Sequence, residues 1–201
     1  MTRARLQIRV ISSHAVRLSW GDVANEEAWQ LERSADGGLT WAPILVLPWD
    51  VTSFTDTNLA AATSYSYRVR ALNNLGTSAY SPVSSAYTLS AYEQWKSDNG
   101  VAAAPDTDDT DQDGVPLLLE YALGMNPHIA NTDALPLSQS FNGALAISYS
   151  KIRPELSYTV EVSTDLQNWS TEGVEQGSGT SPIAWTPLGG QQKYLRLHVS
   201  P

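Results

Sequence analysis

Val16-Arg-Leu-Ser-Trp20 and Tyr65-Ser-Tyr-Arg-Val-Arg-Ala71 decide how the first part of this chain is read. Each alternates apolar and polar residues, so every second side chain falls on one face, the period of a half-buried strand. The same beat continues outward from them, in Leu6, Ile8 and Val10, in Trp29 and Leu31, in Ile44 and Val46, and at Phe54. Turn residues interrupt these runs roughly every 8–12 positions, the spacing of short antiparallel strands joined by tight connections. The pattern predicts a β-sandwich of about seven strands over residues 1–88.

Several positions in that span carry a more specific likeness. Trp20 ends a strand, Leu59 precedes Tyr65 by six residues, and Ala71, Asn73, Gly76 and Ser78 follow. They resemble a fibronectin type III domain: its core tryptophan, the leucine and tyrosine of its tyrosine corner, and the approach to its last strand. Inside the same span, Ser34-Ala-Asp36-Gly-Gly38-Leu-Thr40-Trp41 is similar to the Asp-box of sialidase-type propellers. A propeller needs several such blades, and one copy cannot supply them. The physical content is a tied hairpin, in which Ser34 and Asp36 hydrogen-bond the turn and Trp41 packs back on it.

Beyond residue 88 the character changes. Asp109-Thr-Asp-Gln-Asp-Gly-Val-Pro-Leu-Leu-Leu-Glu120 fits the pattern D-x-D-x-D-G-x5-E without a gap. Asp109, Asp111 and Asp113 offer short oxygen ligands, Gly114 allows a sharp turn, Val115 offers its backbone carbonyl, and Glu120 can close the sphere with both oxygens. Leu117, at the ninth position, has no oxygen, which leaves that place to a water. Hard oxygen donors in this number suit Ca²⁺. The loop resembles the EF-hand loop as bacterial secreted proteins use it, in dockerin-like or thrombospondin type 3-like segments. Pro116, at the eighth position, departs from that pattern. Asp106 and Asp108 lie outside the frame and either sharpen its negative field or take a second ion.

Helices are expected on both sides of this loop. Ser90 and Glu93 form a capping box for a helix ending at Gly100, and Pro116 is expected in the first turn of a second helix closed by Gly124. Residues 89–134 are thus read as a helix–calcium loop–helix connector. From residue 135 the period-two pattern returns: Leu145, Ile147 and Tyr149, then Leu156, Tyr158, Val160 and Val162, then Leu195, Leu197 and Val199. Ser163-Thr-Asp165-Leu-Gln-Asn168-Trp169 echoes the earlier hairpin. Residues 135–201 are read as a second, smaller antiparallel β-sandwich. The fold class is therefore mainly β, a fibronectin type III-like sandwich followed by connector and small sandwich. The string Leu118-Leu-Glu-Tyr-Ala-Leu-Gly-Met-Asn-Pro127 looks like a connector that precedes the C-terminal module of large secreted bacterial proteins.

Charge sharpens the division. The net formal charge is −9, and 9 of the 21 acidic residues fall between positions 89 and 135 beside the single base Lys96. Bound cations would offset that excess. No basic face is available for phosphate, so nucleic acid is not an expected partner. No apolar run approaches the roughly 20 residues that span a bilayer. The start of the chain lacks a signal-peptide core, and the chain contains no cysteine. The reading is a section of a longer exported protein, secreted or at the cell surface, whose partners are the other domains of that protein. His14, His128 and His198 fall in unrelated places, and no nucleophile, zinc or phosphate-loop motif appears, so no enzyme is expected. The expected role is a non-catalytic, calcium-rigidified accessory or spacer region, the ion fixing the geometry between two β-modules. The alternatives are a carbohydrate-binding module using Trp49 or Trp185, with polysaccharide as partner, and a cell-adhesion or filament segment.

Overall fold

The computed structural model describes residues 2–201, the side chain of Phe141 excepted. The chain forms two compact units, Met1–Ala102 and Ala103–Pro201. Their division falls within the stretch read as the connector.

In the first unit β1 (Leu6–Ser12), β2 (Ala15–Trp20) and β5 (Ser53–Asp56) form one antiparallel sheet in the order β1-β2-β5. The second sheet runs β4 (Ala42–Pro48), β3 (Ala28–Ser34), β6 (Ser64–Asn73), β7 (Gly76–Thr77), with β8 (Ser84–Tyr87) also on β6. This is the expected fibronectin type III-like sandwich. Its inner faces are the alternating residues of the sequence pattern: Leu6, Val16, Leu18, Trp20, Trp29, Leu31, Tyr67, Val69 and Ala71 are all buried in one cluster. Trp20 and Trp29 meet at a ring-centroid distance of 5.8 Å. The tyrosine corner is formed as expected. Leu59 is buried, and the Tyr65 hydroxyl accepts a hydrogen bond from the Ala60 N–H at 3.0 Å.

Seven strands were expected, and the structure shows the last of them divided into β7 and β8 along the same neighbour. The physical reason lies in Ser78, Ser81 and Pro82. Pro82 has no N–H for a ladder. The Ser78 and Ser81 hydroxyls accept from the N–H groups of Ala71 and Val69 at 3.0 and 3.1 Å, replacing main-chain acceptors. Among polar groups inside the sandwich, Asp56 accepts from both the Tyr67 hydroxyl and Arg33 at 2.9 Å, so a buried carboxylate joins β3, β5 and β6 without being left unpaired. Helix α1 (Ala91–Asp98) ends this unit, with the Ser90–Glu93 capping box made in both directions. Gln94 of α1 accepts the Ser13 N–H at 2.8 Å.

In the second unit α2 (Leu117–Leu123) follows the acidic loop, and five strands form two small sheets. One runs β12 (Ile183–Pro187), β10 (Ala144–Ser148), β9 (Leu137–Phe141); the other pairs β11 (Ser157–Ser163) with β13 (Tyr194–Ser200). The expected second sandwich is thus present. Pro116, expected in the first turn, instead caps the helix in an extended conformation, and its carbonyl accepts from Leu119 and Glu120 at 2.8 and 3.0 Å. A proline at that place costs no helical hydrogen bond, so either position suits its ring. Gly124 ends α2 at φ +73°, a left-handed conformation that favours glycine; a Cβ there would stand 2.6 Å from Ile152 Cδ1, the mobile end of a side chain that can shift.

Helix α2 is fastened to the sheets at its C-terminal end. The Tyr158 hydroxyl donates to the Ala122 carbonyl at 2.8 Å, and Arg153 donates to the Tyr121 carbonyl at 3.1 Å. Arg153 also lies 4.3 Å from the centre of the Tyr121 ring, whose hydroxyl donates to Glu155. The Tyr158 contact occupies an orphan carbonyl of the last turn, and Arg153 adds a second donor to the Tyr121 carbonyl, which also accepts the Gly124 N–H. Val115, Leu123 and Met125 pack in one buried cluster with Leu119, Leu135 and Leu197 of β13.

Candidate metal centre

The acidic loop closes on itself because its first and last aspartates act as local acceptors. Asp109 accepts the N–H groups of Asp113 and Gly114 at 3.1 and 2.8 Å. Asp113 accepts from Val115 at 2.8 Å and, from beyond α2, from Asn131 at 3.0 Å. Gly114 turns the chain at φ +89°, where a side chain would strain the backbone. The result is a compact set: Asp109, Asp111 and Asp113 each place a carboxylate oxygen within 4.8 Å of the others.

Glu120 comes from the first turn of α2 and stands outside that set of three. It is 1% exposed, and neither of its carboxylate oxygens has a hydrogen-bond partner. Asp111 Oδ2 is likewise buried and unpartnered. Burial, and then the charges of Asp111, Asp113 and Asp109, push the Glu120 carboxyl up to about 7, with His128 opposing them. A buried, unpaired carboxylate beside three others is costly in either protonation state near neutrality. A hard cation removes that cost, because it takes oxygen donors without supplying N–H groups. The donor set therefore fits Ca²⁺ on its chemistry.

The remaining positions of the frame have structural employment. Leu117 is fully buried in the core and offers no oxygen, as its side chain dictates. Val115 anchors the loop in the cluster with Leu197. The main-chain carbonyls of Asp108 and Asp106 accept from Leu117 and Leu118 at 2.9 and 3.2 Å, so these two residues cap the start of α2. The sequence pattern did not reveal that capping role.

A second acidic group was not legible in the sequence. Asp22, Glu26 and Asp50 also place carboxylate oxygens within 4.8 Å of one another. They come from two separate loops of the first unit, and none is buried. The exposed Trp49 beside them sits in the turn after β4, its N–H donated to Glu27 at 3.2 Å. Trp185, the other aromatic singled out, belongs to the second unit and lines an open groove of about 620 Å³ with Gln139, Asn142, Ala144, Ala146 and Ile183. Asn142 was missed, although Asn142-Gly143 between alternating residues is a hairpin signal; both residues adopt positive φ, 48° and 74°. His14 donates from Nδ1 to the Leu59 carbonyl at 2.7 Å, a use confined to the tyrosine corner.

No protein-family model matches the chain, and no curated protein sequence does either. Solved structures do. The sixth fibronectin type III domain of human fibronectin type III domain containing protein 3 is similar at 21% identity, over 45% of this chain and 87% of that one, with a TM-score of 0.40. The structure of FN3tt is similar at 25% identity, over 44% and 98%, with a TM-score of 0.39. A fibronectin type III domain of human collagen XX is similar at 21% identity, over 44% and 92%, with a TM-score of 0.39. These matches cover less than half of the chain. The fibronectin type III-like description of the first unit rests on its own strand order and tyrosine corner. Among the described residues no helix is long and apolar enough to cross a membrane.

Proposed function

We propose that residues 109–120 bind Ca²⁺ and that the chain is a non-catalytic, calcium-stabilised accessory segment of a larger secreted bacterial protein. The observation that carries the metal reading is Glu120, buried beside three aspartates with both oxygens unpartnered. Asp109, Asp111, Asp113 and Glu120 would supply side-chain oxygens and Val115 its carbonyl, with Ca²⁺ favoured over Mg²⁺ because Ca²⁺ accepts six to eight oxygen donors without a strict octahedral geometry. The accessory role is supported by the fold: two β-rich units, with acids concentrated in the loop between α1 and α2. Export would place the chain where extracellular calcium levels can load a weak site.

The ion acts on stability through α2. Binding at the helix start consolidates Val115 and Glu120, while Arg153 and Tyr158 hold the other end. With Ca²⁺ near millimolar and a dissociation constant of roughly 10⁻⁴–10⁻³ M, linkage contributes about 1 kcal/mol. Calorimetric titration of the intact chain tests the reading. One Ca²⁺ per chain is expected in that affinity range, and Asp111→Asn weakens it at least tenfold. Absence of binding at millimolar Ca²⁺, or unchanged binding in the variant, would overturn the site.

A further inference from the structure

We propose that the outer face of the β12-β10-β9 sheet is a binding site for a neutral polysaccharide, with Trp185 as its stacking platform. This inference stands independently of the calcium reading. The register places Trp185 opposite Ala146 on β10, and Ala146 opposite Gln139 on β9, so the three share one face. Ile183 and Ala144 lie two residues away on the same face. The opposite face, with Ile147, Ala184 and Thr186, is buried. Trp185 and Gln139 thus stand two strand spacings apart, about 10 Å, on either side of Ala146, itself buried, with Ala144 half-buried beside it. Asn142, at the β9–β10 turn, completes the rim.

The indole is 42% exposed, yet its backbone is held from both sides. Trp185 exchanges two main-chain hydrogen bonds with Glu175, at 2.8 and 3.0 Å, while pairing with Ala146 on its other side. Because its N–H and carbonyl face Glu175, the pair with Ala146 is the narrow, non-hydrogen-bonded kind, which draws the two side chains together. A large aromatic kept in water on a fixed backbone loses little freedom when a ligand covers it.

The lining specifies the ligand chemistry. The C–H face of a pyranose ring is flat and apolar and matches an exposed indole. Its hydroxyls donate and accept, as do the carboxamides of Gln139 and Asn142. Among the described residues lining the groove none is ionisable, and the exposed Glu175, paired with Trp185 on the same face, puts a carboxylate at its edge that disfavours an acidic ligand. An apolar peptide anchor prefers a closed, desolvated pocket; this groove is half open and carries the amides of Gln139 and Asn142 in its lining. An extended chain of neutral sugars fits it best.

Affinity gel electrophoresis of the intact chain in calcium tests the assignment, using soluble β-glucan, xylan and galactomannan, with alginate as the acidic control. Retardation by at least one neutral glycan, insensitive to added salt, is expected. Trp185→Ala should weaken it at least about tenfold and Gln139→Ala by a smaller factor. Ala144→Leu, which fills the trough and leaves the indole in place, should also weaken it, and Trp49→Ala should not. Circular dichroism and melting temperature establish that each variant is folded. No retardation by any neutral glycan, a preference for alginate, or retardation that survives both Trp185→Ala and Ala144→Leu overturns the proposal. So does a dimer in sedimentation velocity that Trp185→Ala dissolves, since the face would then be occupied by a second copy.

Discussion

The turn at Ser34–Trp41 and the loop at Asp109–Glu120 both set aspartate beside glycine, and the structure resolves them in opposite ways. In the turn every demand of Asp36 is met locally. The Ser34 hydroxyl donates to it at 2.6 Å, and Thr40 donates its hydroxyl at 2.5 Å and its N–H at 3.0 Å. These bonds, the one from Ser34 foremost, hold the Asp36 carboxyl well below the usual carboxylate range. Asp165 repeats the arrangement with Asn168 and Ser163, and its acidity is likewise strengthened. In the loop the local donors run out. Asp109 and Asp113 are served, but Asp111 Oδ2 and both Glu120 oxygens are buried without partners, and Glu120 is shifted in the other direction. An acidic turn that satisfies itself is architecture; one that buries surplus oxygens calls for a cation.

The largest effect that sharpens this contrast is on pH. In the ion-free fold Glu120 keeps its proton up to about 7, against an ordinary value of 4.5. Between those values the folded chain binds more protons than the unfolded one, so its contribution is fully present below the lower value. It falls as pH rises and is lost above about 7. Urea unfolding in EDTA should show the 103–201 unit losing on the order of 2–3 kcal/mol across that window. A stability that is level or rising there would contradict the burial of an unpaired carboxylate. Calcium affinity should weaken over the same range as pH falls, because the proton and the ion compete for one group.

A smaller effect comes from Glu120→Gln. Removing the buried charge should stabilise the calcium-free protein near pH 8 by about 1–2 kcal/mol and abolish the response to calcium. Melting curves with calcium and with EDTA check both halves, and a variant that still gains from calcium would break the comparison. The smallest effect is expected at Asp36→Ala. It should loosen amides near Thr40 in hydrogen exchange and lower the melting temperature slightly, by the same amount with calcium as with EDTA. A calcium-dependent difference there would mean that the two turns are not distinct in kind.

The sequence by itself determined whatever local chemistry controls. Period-two alternation set the inner face of the first sandwich except at Val46, which is exposed beside the irregularity in the β3–β4 pairing. The Ser90–Glu93 pair started α1, Gly124 ended α2, and the spacing of Asp109, Asp111, Asp113 and Gly114 shaped the loop. Each depends on neighbours a few residues apart, whose geometry the backbone dictates. Only the tertiary structure decided the rest. The division of the last strand into β7 and β8 needed the Ser78 and Ser81 hydroxyls to meet β6. The fastening of α2 needed Arg153 and Tyr158, more than thirty residues away in sequence. The groove needed a register that sets Trp185 beside Ala146 and Gln139. That Glu120 would be buried with no donor within reach was also beyond the motif, which places a carboxylate but does not say what surrounds it. Pairing, burial and the absence of a partner are properties of surroundings assembled from distant segments, and no local spacing encodes them.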